Sequence, residues 1–175
     1  MNIKIVKVGS LETNCYILTK ENNCLIIDPG ADYEKIKNHL KNYNVSAILI
    51  THNHFDHIGA LNEIKNNYNV PVYDKNNLEE KNYKIDNFDF DVIYTKGHTE
   101  DSITFYFKND KVMFTGDFLF RNTIGRTDLP TGDYNEMMSS LGKIKKYDSS
   151  IIIYPGHGEE STLEYEFKYN NYLNN

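Results

Sequence analysis

Residues 2–8 alternate apolar and polar positions, the pattern of a half-buried strand. After the loop 9–14, the runs CYILTK (15–20) and CLIID (24–28) are nearly continuous in apolar residues and predict strands covered on both faces. Asp28-Pro29-Gly30 closes the second run as a turn, and Asp32 is placed to cap a helix carrying Ile36 and Leu40 on its apolar side. AILIT (47–51) is another buried strand. Beyond it, Ile58, Leu61, Ile64 and Tyr68 recur at helical spacing and predict one helix of about a dozen residues. Val70–Tyr73 is a short strand with Pro71 at its edge or start. Residues 74–88 are polar and Asn-rich, and their pattern assigns no element. DVIYT (91–95) follows as a strand, then SITFYF (102–107) and KVMFT (111–115) as a hairpin around Asn109-Asp110. A long loop (118–133) leads to a helix over Tyr134–Tyr147, a buried strand IIIY (151–154) and a last helix. Strand runs dominate both halves, with helices between them. Two facing sheets with helices outside would cover these runs, in a single domain over 1–175.

Composition narrows the function. The net charge of −6 disfavours broad nucleic-acid binding, which needs a basic surface. No apolar run approaches the roughly 18 residues of a membrane span, and MNIKIVKVGS lacks the apolar core of a signal peptide. A cytoplasmic protein with no membrane partner is therefore expected. Pairing CYILTK with CLIID sets Cys24 opposite Thr19 and leaves Cys15 roughly 13 Å further along, beyond disulfide reach. Both cysteines read as small buried apolar residues, consistent with a reducing compartment. Nothing in the pattern marks an oligomeric state.

The chemistry concentrates at strand ends. AILIT runs into His52, His54, Asp56 and His57; DVIYT leads to His98, KVMFT to Asp117 and IIIY to His157. His52 and His54 are two apart, so in an extended segment both point the same way. Histidine with carboxylate suits zinc, iron or manganese. Five histidines and two aspartates exceed one tetrahedral ion and suit two ions that share a bridge.

The motifs THNHFDH, KGHT, TGD and PGHG, in this order, resemble the metallo-β-lactamase superfamily. The resemblance implies an α/β fold, the αββα sandwich of two mixed sheets with outer helices. It implies one metal on His52, His54 and His98, a second on Asp56, His57 and His157, and Asp117 bridging them. GRTDLPTGD, PGHGEESTLEYEFKYNNYL and Asn14-Cys15-Tyr16 resemble the short glyoxalase II-like (hydroxyacylglutathione hydrolase-like) subgroup. Lys96 stands where that subgroup usually has proline, and Glu100-Asp101 where Pro-Gly is common; the acidic pair bears on which substrates approach His98.

The expected activity is hydrolysis of small, anionic acyl thioesters, similar to S-lactoylglutathione, by a hydroxide bridging two divalent ions, zinc first, with iron or manganese as alternatives. Asp56 would also orient the hydroxide. The competing expectation is a persulfide dioxygenase of the same superfamily, with one iron on His52, His98 and Asp117. The complete set Asp56, His57 and His157 favours the two-metal hydrolase. Arg121 is a candidate clamp for a substrate carboxylate, whereas Arg126 is placed to pair with Asp128.

Overall fold

The structure is a computed structural model that describes residues 1–174. Its strands, in chain order, are β1 (Asn2–Val8), β2 (Thr13–Lys20), β3 (Asn23–Ile27), β4 (Asn44–Leu49), β5 (Val72–Tyr73), β6 (Asn82–Ile85), β7 (Phe88–Tyr94), β8 (Ile103–Phe107), β9 (Val112–Gly116), β10 (Leu119–Phe120), β11 (Thr123–Ile124), β12 (Ile152–Pro155) and β13 (Ser161–Thr162). The helices are α1 (Tyr33–Lys37), α2 (Phe55–Ile58), α3 (Leu61–Tyr68), α4 (Tyr134–Ile144) and α5 (Leu163–Tyr169). One sheet has the order β1-β2-β3-β4-β5, antiparallel over the first three strands and parallel from β3 to β5. A second large sheet has the order β13-β12-β9-β8-β7-β6, with β9 and β12 its parallel pair, and β10 and β11 pair as a small antiparallel ribbon. Both sheets are mixed, as expected.

Strand periodicity divides the apolar runs between layers. Leu18, Leu25, Ile27 and Leu49 face Phe90, Phe105, Phe107 and Phe114 in the core between the sheets. Their neighbours Ile17, Ile26 and Ile48 point the other way and pack with Ile36 of α1 and Ile64 of α3. On the second sheet, Met113 and Ile153 point outward against Met137 and Leu141 of α4 and Leu163 of α5. Side chains two apart along a strand share a face, so a run apolar at every position needs cover on both sides. This is why the runs read as continuous in the sequence, and it gives the α/β/β/α layering.

Local departures have local causes. The single helix expected up to Tyr68 is two helices, because Ala60 N–H donates to Pro29 O (2.9 Å) and leaves the helical ladder there. Asp32 does not cap α1 through its side chain; it adopts a left-handed backbone, and its Oδ2 accepts from Gly9 N instead. α4 ends at Ile144 rather than at the expected Tyr147, and 74–88 contains β6 and the first residue of β7. Cys24 does face Thr19, and both cysteines are buried free thiols. Burial raises both thiols far from neutrality, Cys24 to about 12, so neither is a nucleophile near pH 7.

The turn after β3 packs closely against α2. A Cβ on Gly30 would stand 1.6 Å from the Asp56 carbonyl oxygen, so only glycine lets the two backbones approach this closely. Gly30→Ala is therefore expected to destabilise the protein by about 1–3 kcal/mol, the scale of overpacking a tight interior. Urea unfolding followed by circular dichroism measures this; an unchanged midpoint would show that α2 is not locked against this turn.

Candidate metal centre

The strand ends and α2 place all seven expected ligands around one small space. His52 Nε2 lies 3.1 Å from His54 Nδ1, and His98 Nε2 lies 3.0 Å from that same nitrogen. These three form one group whose ligand atoms lie within 4.8 Å of one another; Asp56, His57 and His157 form a second. Asp117 stands between the two. Its Oδ2 is 3.6 Å from His98 Nε2 and 3.5 Å from His157 Nε2, and its Oδ1 is 3.3 Å from His57 Nε2.

Hydrogen bonds on the far side of each ring decide which nitrogen faces inward. His98 Nδ1–H donates to Arg126 O (2.8 Å), and His157 Nδ1–H donates to Leu11 O (3.0 Å). A backbone carbonyl only accepts, so in both rings the proton sits on Nδ1 and Nε2 presents a lone pair. His57 Nδ1 donates to Asp28 Oδ2 (2.9 Å) by the same logic. His52 is set through a relay. Thr51 Oγ1 donates to Asp28 Oδ2 (2.6 Å), so its oxygen accepts from His52 Nδ1 (3.1 Å), and Nε2 again faces inward. His54 differs, turning Nδ1 into the site. Metal-binding histidines are typically oriented by such outer partners.

The first hairpin secures the second group. Thr13 Oγ1 donates to Asp56 Oδ2 (2.9 Å). Asn14 Nδ2 donates to the carbonyls of Pro155 and Gly158, which flank the turn bearing His157. Leu11, Thr13 and Asp28 are contributors that sequence reasoning missed, and Asn14 entered it only as part of a resemblance, without a role. Asp28 carried a usable signal, since it too ends a buried apolar strand. The others act on residues distant in the chain, which no local pattern records.

The donor set fits metal ions by three observations. Among the described residues, Asp117 Oδ1 and His57 Nε2 are buried without a hydrogen-bond partner, a costly arrangement for polar atoms unless a cation completes them. A Cβ on Gly156 would lie 2.1 Å from Asp117 Oδ1, so glycine there leaves the carboxylate room. The donors are nitrogen and oxygen throughout, the set that zinc, iron and manganese accept.

Charge balance points the same way. Burial pushes His52 well below its usual value, and burial, with His98 next, lowers His54. Burial also opposes charge on His57, but Asp28 and Asp117 outweigh it and hold this ring at about 10. Asp117 runs against its own burial too; the imidazoles of His157 and His57 beside it hold its carboxyl well below the usual carboxylate range. The centre therefore holds positive charge near its carboxylates, and a cation can take the place of the protons.

A cavity of about 930 Å³ opens on the centre, lined in part by His54, Asp56, His98, Asp117 and His157. Arg126 reaches its wall but forks Asp128 at 2.7 and 2.8 Å. Arg121 lies in an adjoining depression, paired with Glu159 at 2.8 Å and stacked over Tyr165. Among the described residues, no helix is long and apolar enough to cross a membrane.

The raised His57 sets a pH dependence for metal-free protein. A ring whose pKa is raised on folding stabilises fully below its unfolded value near 6.5, and that stability is lost as pH rises through about 10. His52, lowered on folding, acts oppositely and costs stability below pH 6.5. In chelator, the unfolding temperature should fall steadily from pH 7 to 10 by scanning calorimetry. A flat profile across that window would mean that the His57 ring is already neutral at pH 7.

A family model described as the metallo-beta-lactamase superfamily matches residues 8–75 and 74–157. The chain is 33% identical to the hydroxyacylglutathione hydrolase GloC of Haemophilus influenzae, covering 99% of both chains. Among solved structures it is similar to the BLEG-1 B3 metallo-beta-lactamase, with a TM-score of 0.94, 32% identity, and 99% of this chain and 100% of that one covered. It is also similar to TTHA1623 in a di-iron-bound form, with a TM-score of 0.89, 28% identity, and 97% and 100% covered. With the family model covering most of its length and the sandwich and site geometry in agreement, the chain belongs to the metallo-beta-lactamase superfamily.

Proposed function

We propose that this metallo-hydrolase holds two divalent metal ions and hydrolyses small acyl thioesters. The observation that carries the reading is Asp117, whose two oxygens face different histidines on either side of it. His52, His54 and His98 would hold one ion, and Asp56, His57 and His157 the other. Zinc fits this set, as do iron and manganese. The second group favours a hydrolase over a dioxygenase with a single iron, which would need only His52, His98 and Asp117. Similarity to the Haemophilus hydroxyacylglutathione hydrolase supports a thioester substrate.

Bound metal ions would supply a water acidified toward neutral pH and a Lewis acid for the carbonyl oxygen. The chain's own groups do the rest. Asp56 lines the cavity, and Thr13 anchors its Oδ2, so this carboxylate can take a hydrogen bond from the attacking water and fix its direction. Four imidazoles, those of His52, His57, His98 and His157, are locked by outer partners and keep the centre from reorganising as charge develops. A carbon–oxygen bond forms, the carbon–sulfur bond breaks, and the thiolate takes the electron pair. A thiolate leaves without protonation, so the step needs no strong general acid. We place the substrate as a small molecule, with no nucleic-acid or membrane partner.

Two measurements test this. Zinc-saturated protein should carry two ions per chain, and Asp117→Ala should lose both or nearly both by elemental analysis. A content of one ion in saturated wild type would sink the two-metal reading. His157→Ala should lower kcat for a lactoyl thioester by about 10²-fold or more, the scale of losing an electrostatic contributor to the transition state. Oxygen uptake with a persulfide, and no thioester turnover, would reverse the assignment in favour of the dioxygenase.

A further inference from the structure

The cavity wall carries a selectivity that the metal chemistry does not explain. Its charged lining beyond the presumed ligands is Glu100, Asp101 and Arg126. Arg126 is occupied by Asp128 through two bonds, and Arg121, the other nearby arginine, is held by Glu159 outside this cavity. Glu100 is exposed at the wall, with its backbone N–H near Thr131 Oγ1. Asp101 accepts from Asn53 N (3.0 Å) and Asn53 Nδ2 (2.7 Å), which fixes its carboxylate beside the His-rich segment. The rest of the lining includes Leu11, Phe55, Phe120, Leu129 and Pro130. Phe55 is 75% exposed and Leu11 52%, unusual for large apolar side chains next to a polar centre. Exposed apolar groups in a concave site mark where a ligand's apolar part is covered.

Resting on the thioester reading above, we propose that the preferred substrate is a thioester whose thiol arm is neutral and apolar, packed on Phe55 and Leu11, and that Glu100 and Asp101 select against thiol arms bearing carboxylates. This departs from the anionic substrate expected from the sequence. A carboxylate on the thiol arm would meet two acids and an arginine already forked by another acid. Like charges brought together without a partner are a usual means of rejecting a competitor. Leu11 adds a structural tie, since its carbonyl holds His157 while its side chain lines the cavity.

The test compares lactoyl thioesters of propanethiol and mercaptopropionate, alike in length and different in charge, with the glutathione ester alongside. In metal-loaded wild type, kcat/KM should favour the propanethiol ester over the mercaptopropionate ester by about tenfold or more, the size of one poorly screened charge contact. Added salt should shrink that ratio. Glu100→Lys, at an exposed position, should reduce the ratio by at least about threefold through the carboxylated ester, while Phe55→Ser should raise KM for the propanethiol ester. A second arm measures calorimetric binding of uncleavable ketone analogues, in which a methylene separates carbonyl and sulfur. The neutral analogue should bind more tightly by a similar factor. If no thioester is hydrolysed, the thioesterase reading fails, and the binding arm still decides the selectivity. Equal or better handling of the carboxylated partner in both arms, or a ratio unmoved by Glu100→Lys, overturns the proposal.

Discussion

One buried carboxylate ties the site together. Asp28, at the end of β3, accepts from Thr51 N and Thr51 Oγ1 at the end of β4 and from His57 Nδ1 in α2. A buried charge is tolerable only when hydrogen-bonded and paired, so these partners are not optional. Meeting them closes the ends of two parallel strands against the first turn of α2. It also sends the lone pairs of His57 and, through Thr51, of His52 into the centre. Asp28 does this from a left-handed backbone, which is uncommon away from glycine and which its three bonds hold in place. The fold around the centre is thus arranged by an electrostatic debt at one residue that lies outside the presumed ligand set.

The layered architecture was legible because strand periodicity and burial leave the same trace in the sequence. Runs such as CLII and AILI are apolar at every position because both faces are covered, and they became the central β3 and β4. Ligand candidates were legible for a related reason: they cluster after buried runs, where strand ends deliver His52, His54, His98, Asp117 and His157, and the short α2 delivers Asp56 and His57. What was hidden is what acts between distant segments. Leu11 O reaches His157 and Thr13 reaches Asp56, while residues 9–14 show only a loop pattern in the sequence. The break between α2 and α3 was hidden likewise, because the apolar spacing through Ile58, Leu61 and Ile64 continues while Ala60 N–H is captured by Pro29. Asp32 reads as a cap from its position, yet Gly9 N competes for its side chain and takes it.

The two halves of the centre are built differently, and this has consequences for how they respond to change. The group of His52, His54 and His98 hangs on strand ends and is oriented by Thr51 and by the carbonyl of Arg126. The group of Asp56, His57 and His157 depends also on the first hairpin, through Leu11, Thr13 and Asn14. Distortion of the loop before β2 therefore reaches the second group first. Asp117, facing histidines of both, transmits it onward.

The centre and its rim also divide the work by charge. Two divalent ions at the proposed positions would outweigh Asp56 and Asp117, so the centre would draw any acyl oxygen toward it whatever the rest of the substrate carries. Attraction of this kind is blind to the thiol arm. Discrimination must then come from groups that touch only that arm, and the cavity wall supplies them as acids and apolar side chains rather than as free arginines. Of the wall residues, Leu11 and Arg126 orient histidines only through their backbone carbonyls, so the side chains of the wall can vary without disturbing the lone pairs. A fold that keeps its reactive donors on strand ends and its selective groups on the intervening loops can retain one chemistry while its substrates change.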